Sequence, residues 1–126
     1  MTYSERLAQR IQSVGSRLCV GIDPRPELSS GIDAVPEFLN RLVGETAEYA
    51  AAFKPNMAYF EAMGLRGIEI LQEMLASLPE NVPIILDAKR SVIVETQTYY
   101  ATSYFENWYV YAVTLNPFLG YDSIET

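Results

Sequence analysis

Histidine is absent from this 126-residue chain, and cysteine occurs once. Without histidine there is no Ser-His-Asp or Cys-His nucleophilic scheme and no His-based metal site, and none is expected. Cys19 has no internal disulfide partner, and its neighbours Leu18 and Val20 predict a small buried core residue rather than a reactive thiol. Cations are also scarce, with nine Lys and Arg against sixteen Asp and Glu and a net charge of −7. A nucleic-acid surface needs clustered Lys and Arg to replace phosphate counterions, so that partner is excluded. A small anionic ligand remains open, because a few well-placed cations suffice. Long apolar runs are missing too, each being broken by charge or proline. No membrane span is expected, the amino terminus lacks the basic-then-apolar build of a signal peptide, and a cytoplasmic location follows as the expectation.

What is present is the composition of a globular protein, 49% apolar and 20% charged. The length suits one domain over residues 1–126 and is too short for two. Thr2 and Glu5 have the spacing of a capping box, and Leu7, Ile11 and Val14 recur at helical intervals, predicting a helix over residues 3–14 that ends near Gly15. Leu18–Ile22 is an apolar run of strand length, closed by Asp23 and the Pro24/Pro26 pair. A first-turn Pro36 followed by Phe38, Leu39, Leu42, Val43 and Ala50 predicts a helix to about residue 50. Ala52-Phe53-Lys54-Pro55 predicts a second strand, and Leu65, Ile68, Leu71, Leu75 and Leu78 a third helix. Pro83–Ala88 is the third predicted strand, residues 93–106 a helix rich in β-branched and aromatic residues, and Val110–Asn116 the fourth strand.

The spacing between strands leaves room for a helix each time, the pattern of a parallel sheet. A small doubly wound sheet and half of a (β/α)8 barrel both satisfy it. In either, chemistry gathers at the carboxyl ends of the strands, which here carry Asp23, Lys54, Asp87 with Lys89, and Asn116. The third of these ends is the most informative. In Pro83-Ile84-Ile85-Leu86-Asp87-Ala88-Lys89-Arg90, strand alternation puts Asp87 and Lys89 on one side and Ala88 on the other. Opposite charges at the end of a buried element are costly to desolvate unless paired, and they are tolerated most often where a site needs them. Each of these residues also has a plain structural explanation: a strand-end ion pair for Asp87 and Lys89, a turn-former for Asp23, a turn start for Asn116 before Pro117. Lys54, inside an apolar four-residue run, has the fewest.

Taken together, Leu18-Cys19-Val20-Gly21-Ile22-Asp23-Pro24-Arg25-Pro26-Glu27, Phe53-Lys54-Pro55-Asn56, Leu86-Asp87-Ala88-Lys89-Arg90 and Val113-Thr114-Leu115-Asn116-Pro117-Phe118-Leu119-Gly120 make the chain resemble orotidine 5′-phosphate decarboxylase. The stretches run in family order along the whole chain. The resemblance implies a (β/α)8 barrel that decarboxylates orotidine monophosphate in pyrimidine biosynthesis without cofactor or metal, using an alternating Lys-Asp-Lys-Asp array whose last acid comes from the partner subunit of a dimer. By position it makes Lys54 the first lysine, Asp87 the acid pressing on the substrate carboxylate, and Lys89 the proton donor to the carbanion at C6. Asp23 would hold ribose hydroxyls, Thr96 would approach the neighbouring subunit's site, and Asn116 would line the rim.

Two departures qualify that expectation. Where the family continues as Arg-Gly-Asp-Ile-Gly, this chain has Arg90-Ser91-Val92-Ile93-Val94, so Val92 replaces the fourth member of the array. A full barrel needs roughly 200 residues or more, and the sequence given lacks the family's phosphate-gripping arginine and closing loop. The expected architecture is therefore a four-stranded βα half of a barrel, truncated or engineered and catalytically inactive, with a self-associating scaffold or weak binder of nucleoside monophosphates as the alternative. Unpaired sheet edges invite closure by a second copy. Tyr99, Tyr100, Tyr104, Phe105, Trp108, Tyr109 and Tyr111 add seven aromatics in thirteen residues; with Val92 and Val94 they suit either a dimer interface or an ordinary core.

Overall fold

Helix α1 spans Tyr3–Val14, with the capping box formed as its sequence requires: Glu5 N–H donates to Thr2 Oγ1 at 3.3 Å and Thr2 N–H to Glu5 Oε2 at 2.8 Å. Gly15 ends the helix at φ +64°, a left-handed conformation that a side chain disfavours. The computed structural model describes residues 1–125. Within them, β1 (Leu18–Ile22), α2 (Val35–Thr46), β2 (Ala50–Pro55), α3 (Met57–Glu61), α4 (Gly64–Ser77), β3 (Ile85–Arg90), α5 (Val94–Ala101) and β4 (Ala112–Leu115) follow in order. Strand β1 pairs in parallel with β2, and β3 with β4. Parallel bridges from Phe53 to Ile84 and from Asn56 to Asp87 join the two pairs, so the order across the sheet is β1-β2-β3-β4.

This is the expected βα arrangement, with several boundaries moved for local reasons. Helix α2 stops at Thr46 instead of residue 50, because Tyr49 N–H turns back to Thr46 and Ala50 already belongs to β2. Arg10 of α1 fixes that turn, donating to the carbonyls of Ala47 (2.6 Å) and Ala50 (2.9 Å). The third predicted helix is α4, and a short unpredicted helix, α3, precedes it, the two separated at Gly64 (φ +67°); Leu65 is exposed instead of buried, and Leu78 is an extended residue at the end of α4. Strand β3 starts at Ile85 and runs on to Arg90, past the predicted end at Ala88. The helix predicted over 93–106 is α-helical only to Ala101 and continues as a wider π turn from Thr102 to Asn107.

The core lies between one face of the sheet and the helices. Ile22, Phe53 and Leu86 from the strands meet Leu39 of α2, Phe60 of α3 and Ile70 and Leu71 of α4, all essentially inaccessible. The opposite face is exposed along β1, while its β2 and β3 positions Ala52 and Asp87 are buried. Gly21 pairs with Lys54 in register, so both point the same way, and alternation puts Cys19 with them. Cys19 is therefore exposed, against the expectation of a core residue: Val20 and Ile22 occupy the inward positions of β1. The aromatic cluster is likewise divided. Tyr104 is buried and stacks on Tyr100 at 5.6 Å between centroids, Trp108 and Tyr111 pack against the core, and Tyr99, Phe105 and Tyr109 are exposed. Among the described residues, no helix is long and apolar enough to cross a membrane.

Gly67 is the tightest point between α3 and α4. A Cβ there would sit 1.9 Å from the Phe60 carbonyl oxygen and 2.7 Å from Met63 Cβ. Gly67→Ala is expected to destabilise the fold by about 1–3 kcal/mol through overpacking, despite alanine's better helix propensity. Urea denaturation measures this, and an unchanged or raised midpoint would show that the two helices separate freely.

Candidate active site

The strand register makes an irregularity where the charges lie. Leu86 pairs with Val113 and Arg90 with Leu115, so β3 carries two more residues than β4 over the same stretch. Asp87, Ala88 and Lys89 form this bulge, and Lys89 takes φ +52°, which is unfavourable for a side chain of its size. Such a conformation persists only where its surroundings hold it. Here the Lys89 N–H, displaced from the strand ladder, donates to Thr114 Oγ1 at 3.1 Å. At the other end of the bulge, Arg90 donates to the Ala88 carbonyl at 3.1 Å and pairs with Glu61 of α3.

Asp87 is the centre of the arrangement, with only 6% of its side chain exposed. Lys54 Nζ donates to Oδ2 at 2.8 Å, while Lys89 Nζ (2.6 Å) and the Thr114 hydroxyl (2.8 Å) donate to Oδ1. Neighbouring strands supply these groups: Lys54 near the end of β2, Asp87 and Lys89 from β3, Thr114 from β4. The bonds from Lys54 and Lys89 hold the Asp87 carboxyl well below the usual carboxylate range, outweighing the opposite effect of burial. Lys54 is raised in turn, first by its bond to Asp87. Both ammonium groups keep a face toward solvent, with side chains 38% and 66% exposed. The result is a buried anion flanked by two reachable cations, which can receive an anionic ligand and present one carboxylate against it.

Three of the sequence-derived residues, Lys54, Asp87 and Lys89, thus meet directly. Asp23 stands exposed at the end of β1, close enough to raise Lys54 through its field without a direct hydrogen bond. Thr96 is exposed on α5 and takes no part in the charged group. Asn116 caps the turn after β4, its side chain accepting the Phe118 N–H at 3.0 Å, so its immediate work is the structural one. Val92 is half-buried in the link between β3 and α5 and has no polar atom to offer Lys89. Thr114 escaped the sequence reading. The signal was there in the period of two, which puts Thr114 on the same face as the rim residue Asn116, beside Asp87 of the adjacent strand.

The profile of the "Orotidine 5'-phosphate decarboxylase / HUMPS family" matches residues 16–126. The orotidine 5′-phosphate decarboxylase of Variovorax paradoxus is 42% identical over 98% of this chain and 47% of its own length. That of Herpetosiphon aurantiacus is 39% identical over 98% and 48%. Among solved structures, the OMP decarboxylase of Leishmania donovani superposes with a TM-score of 0.89 at 41% identity, covering 99% of this chain and 48% of that one. The UMP synthase of the same organism gives 0.90 at 41%, covering 99% and 27%. The chain spans about half the length of the curated decarboxylases it matches, and its fold corresponds to that portion of their barrel.

The depressed Asp87 carboxyl links the site to stability. Because the unfolded carboxyl accepts a proton at higher pH than the folded one, the stabilisation is present above the ordinary aspartate range and is lost as pH falls. The stability gap between the native chain and Asp87→Asn is therefore expected to be widest near pH 7 and to close progressively below about pH 5. Urea titrations at several pH values check this, and a gap independent of pH would show that the two lysines do not stabilise the charged form.

Proposed function

The chain belongs to the orotidine 5′-phosphate decarboxylase / HUMPS family, and from that premise we propose that it keeps the family's charged rim without carrying out its decarboxylation. The observation that supports the reading is the Lys54–Asp87–Lys89 group, built across β2 and β3 with both ammonium groups reachable. In orotidine monophosphate, a carboxylate held against Asp87 would be raised in energy, and Lys89 would stand beside the carbanion left by departing carbon dioxide. A cation placed where charge develops lowers the barrier, and like charges in the ground state raise the starting point. That differential requires Lys89 to be held in place and its charge balanced while the substrate is bound. At Val92, where the resemblance leads one to expect an acid, a branched apolar side chain supplies neither. The cations are then left able to attract a nucleoside monophosphate, with the proton-donating geometry incompletely enforced.

A decarboxylation assay with orotidine monophosphate tests this, with Lys89→Ala as the control. Product formation indistinguishable between the two proteins is expected. Turnover that disappears in Lys89→Ala would overturn the proposal and make the chain an enzyme.

A second reading concerns assembly. Among the described residues the outer edges of β1 and β4 have no strand partner, and the face carrying Cys19 and Gly21 is exposed along β1. Unpaired edges are templates for pairing, and a second copy closing the sheet about a twofold axis would use both at once. The exposed Tyr99, Phe105 and Tyr109 add apolar area with polar tips for such a contact. Light scattering across a concentration series is expected to give a dimer mass, and a monomer persisting at high concentration would exclude closure by a second copy.

A further inference from the structure

On the side of the sheet away from the charged rim, the chain forms a cavity of about 550 Å³. It lies beneath the amino-terminal ends of β3 and β4, since Ile84 and Tyr111 immediately precede those strands and line it. Arg6 of α1 reaches in from one side, Leu75 and Ala76 of α4 from another, and Trp108 and Tyr109 complete an aromatic wall with Tyr111. The volume is that of an ordinary small-molecule pocket.

Arg6 carries the chemistry of this cavity. Its guanidinium carbon lies 4.4 Å from the centre of the Tyr111 ring, which fixes the group over an aromatic face. The Nε is buried with no hydrogen-bond partner, and among the described residues no carboxylate lies within ion-pair distance of Arg6. The Nε is enclosed by the protein, so an acceptor in the cavity meets the terminal nitrogens of the guanidinium instead. Guanidinium is weakly hydrated, and its fork matches the two oxygens of a carboxylate. Tyr109 adds an independent sign. Its φ of +54° is rare for an aromatic residue, and its ring stands exposed at the wall of the cavity. Backbone strain of this kind collects at ligand clamps. Glu80 also lines the cavity, exposed and unpaired with Arg6, and its charge weighs against a doubly charged ligand.

The geometry points to a binding site for a small aromatic monocarboxylate, its carboxylate on Arg6 and its ring against Trp108 and Tyr111. The site is separate from the charged rim and does not depend on what happens there.

Trp108 is the chain's single tryptophan, so its fluorescence reports on this wall alone. Titration with phenylacetate, excited where the ligand does not absorb, is expected to give a saturable change. Phenylacetamide, of the same shape without the charge, is expected to bind about tenfold or more weakly, as is phenylacetate to Arg6→Gln. Acetate, which has the charge without the ring, is expected to leave the signal unchanged. Ala76→Leu, made on the exposed side of α4, narrows the cavity without altering the buried core and is expected to abolish the response even if Arg6→Gln fails to fold. No saturable change up to tens of millimolar phenylacetate, equal responses to phenylacetate and phenylacetamide, or an undiminished response in Ala76→Leu would each overturn the inference.

Discussion

One buried carboxylate organises the functional end of this molecule. Asp87 accepts hydrogen bonds from Lys54, Lys89 and Thr114, so three strands are tied together at a point where the backbone ladder between β3 and β4 is broken. A lone carboxylate at that depth would take up a proton to escape the cost of desolvation. Two ammonium groups at hydrogen-bond distance reverse the preference and keep it charged. The arrangement is self-consistent only as a set. Removing Lys54 weakens the case for a charged Asp87, and removing Asp87 leaves two lysines facing one another across the gap between β2 and β3.

The bulge on β3 explains how a regular sheet presents this group. A flat strand would send Lys89 along the ladder with its N–H committed to a neighbouring carbonyl. Two additional residues free that N–H, Thr114 receives it, and Lys89 adopts a left-handed conformation that brings its ammonium back onto Asp87. Arg90 and Glu61 anchor the strand immediately afterwards. Strain is thus confined to one residue and bounded on both sides by polar contacts. Thr114 belongs to the machinery as much as the charged residues do, since it contacts the backbone of one and the side chain of another.

Much of this was legible in the sequence. Capping residues, apolar periods and proline breaks gave α1 and β1 to the residue, and the two-residue spacing of Asp87 and Lys89 pointed to their pairing, although a bulge rather than regular alternation brings them together. Lys54 was legible for a different reason, an uncompensated charge within an apolar run. What escaped depends on contacts between distant segments. The end of α2 is decided by Arg10, forty residues before Ala50, and the short α3 before the predicted third helix packs closely on it where Gly67 meets Phe60. The apolar neighbours of Cys19 suit a core residue, whereas its exposure follows from the strand face it occupies and from what lies opposite. Thr114 needed the register of β4 against β3, including the bulge, which composition does not encode.

The two ends of the sheet are set apart by what their cations do. At the rim Lys54 and Lys89 are committed to Asp87, and at the opposite end Arg6 rests on an aromatic ring with a donor unmatched. The commitment at the rim is the claim on which the rest turns. Carbon-13 NMR of the Asp87 side-chain carboxyl, followed through a pH titration of the folded chain, measures it directly. The signal is expected to remain that of a carboxylate through the ordinary aspartate range near pH 3.9, and to begin titrating within that range once Lys54 is replaced by Met. An Asp87 that titrates at or above the ordinary value in the native chain would contradict the existence of a charged, doubly paired carboxylate at the rim.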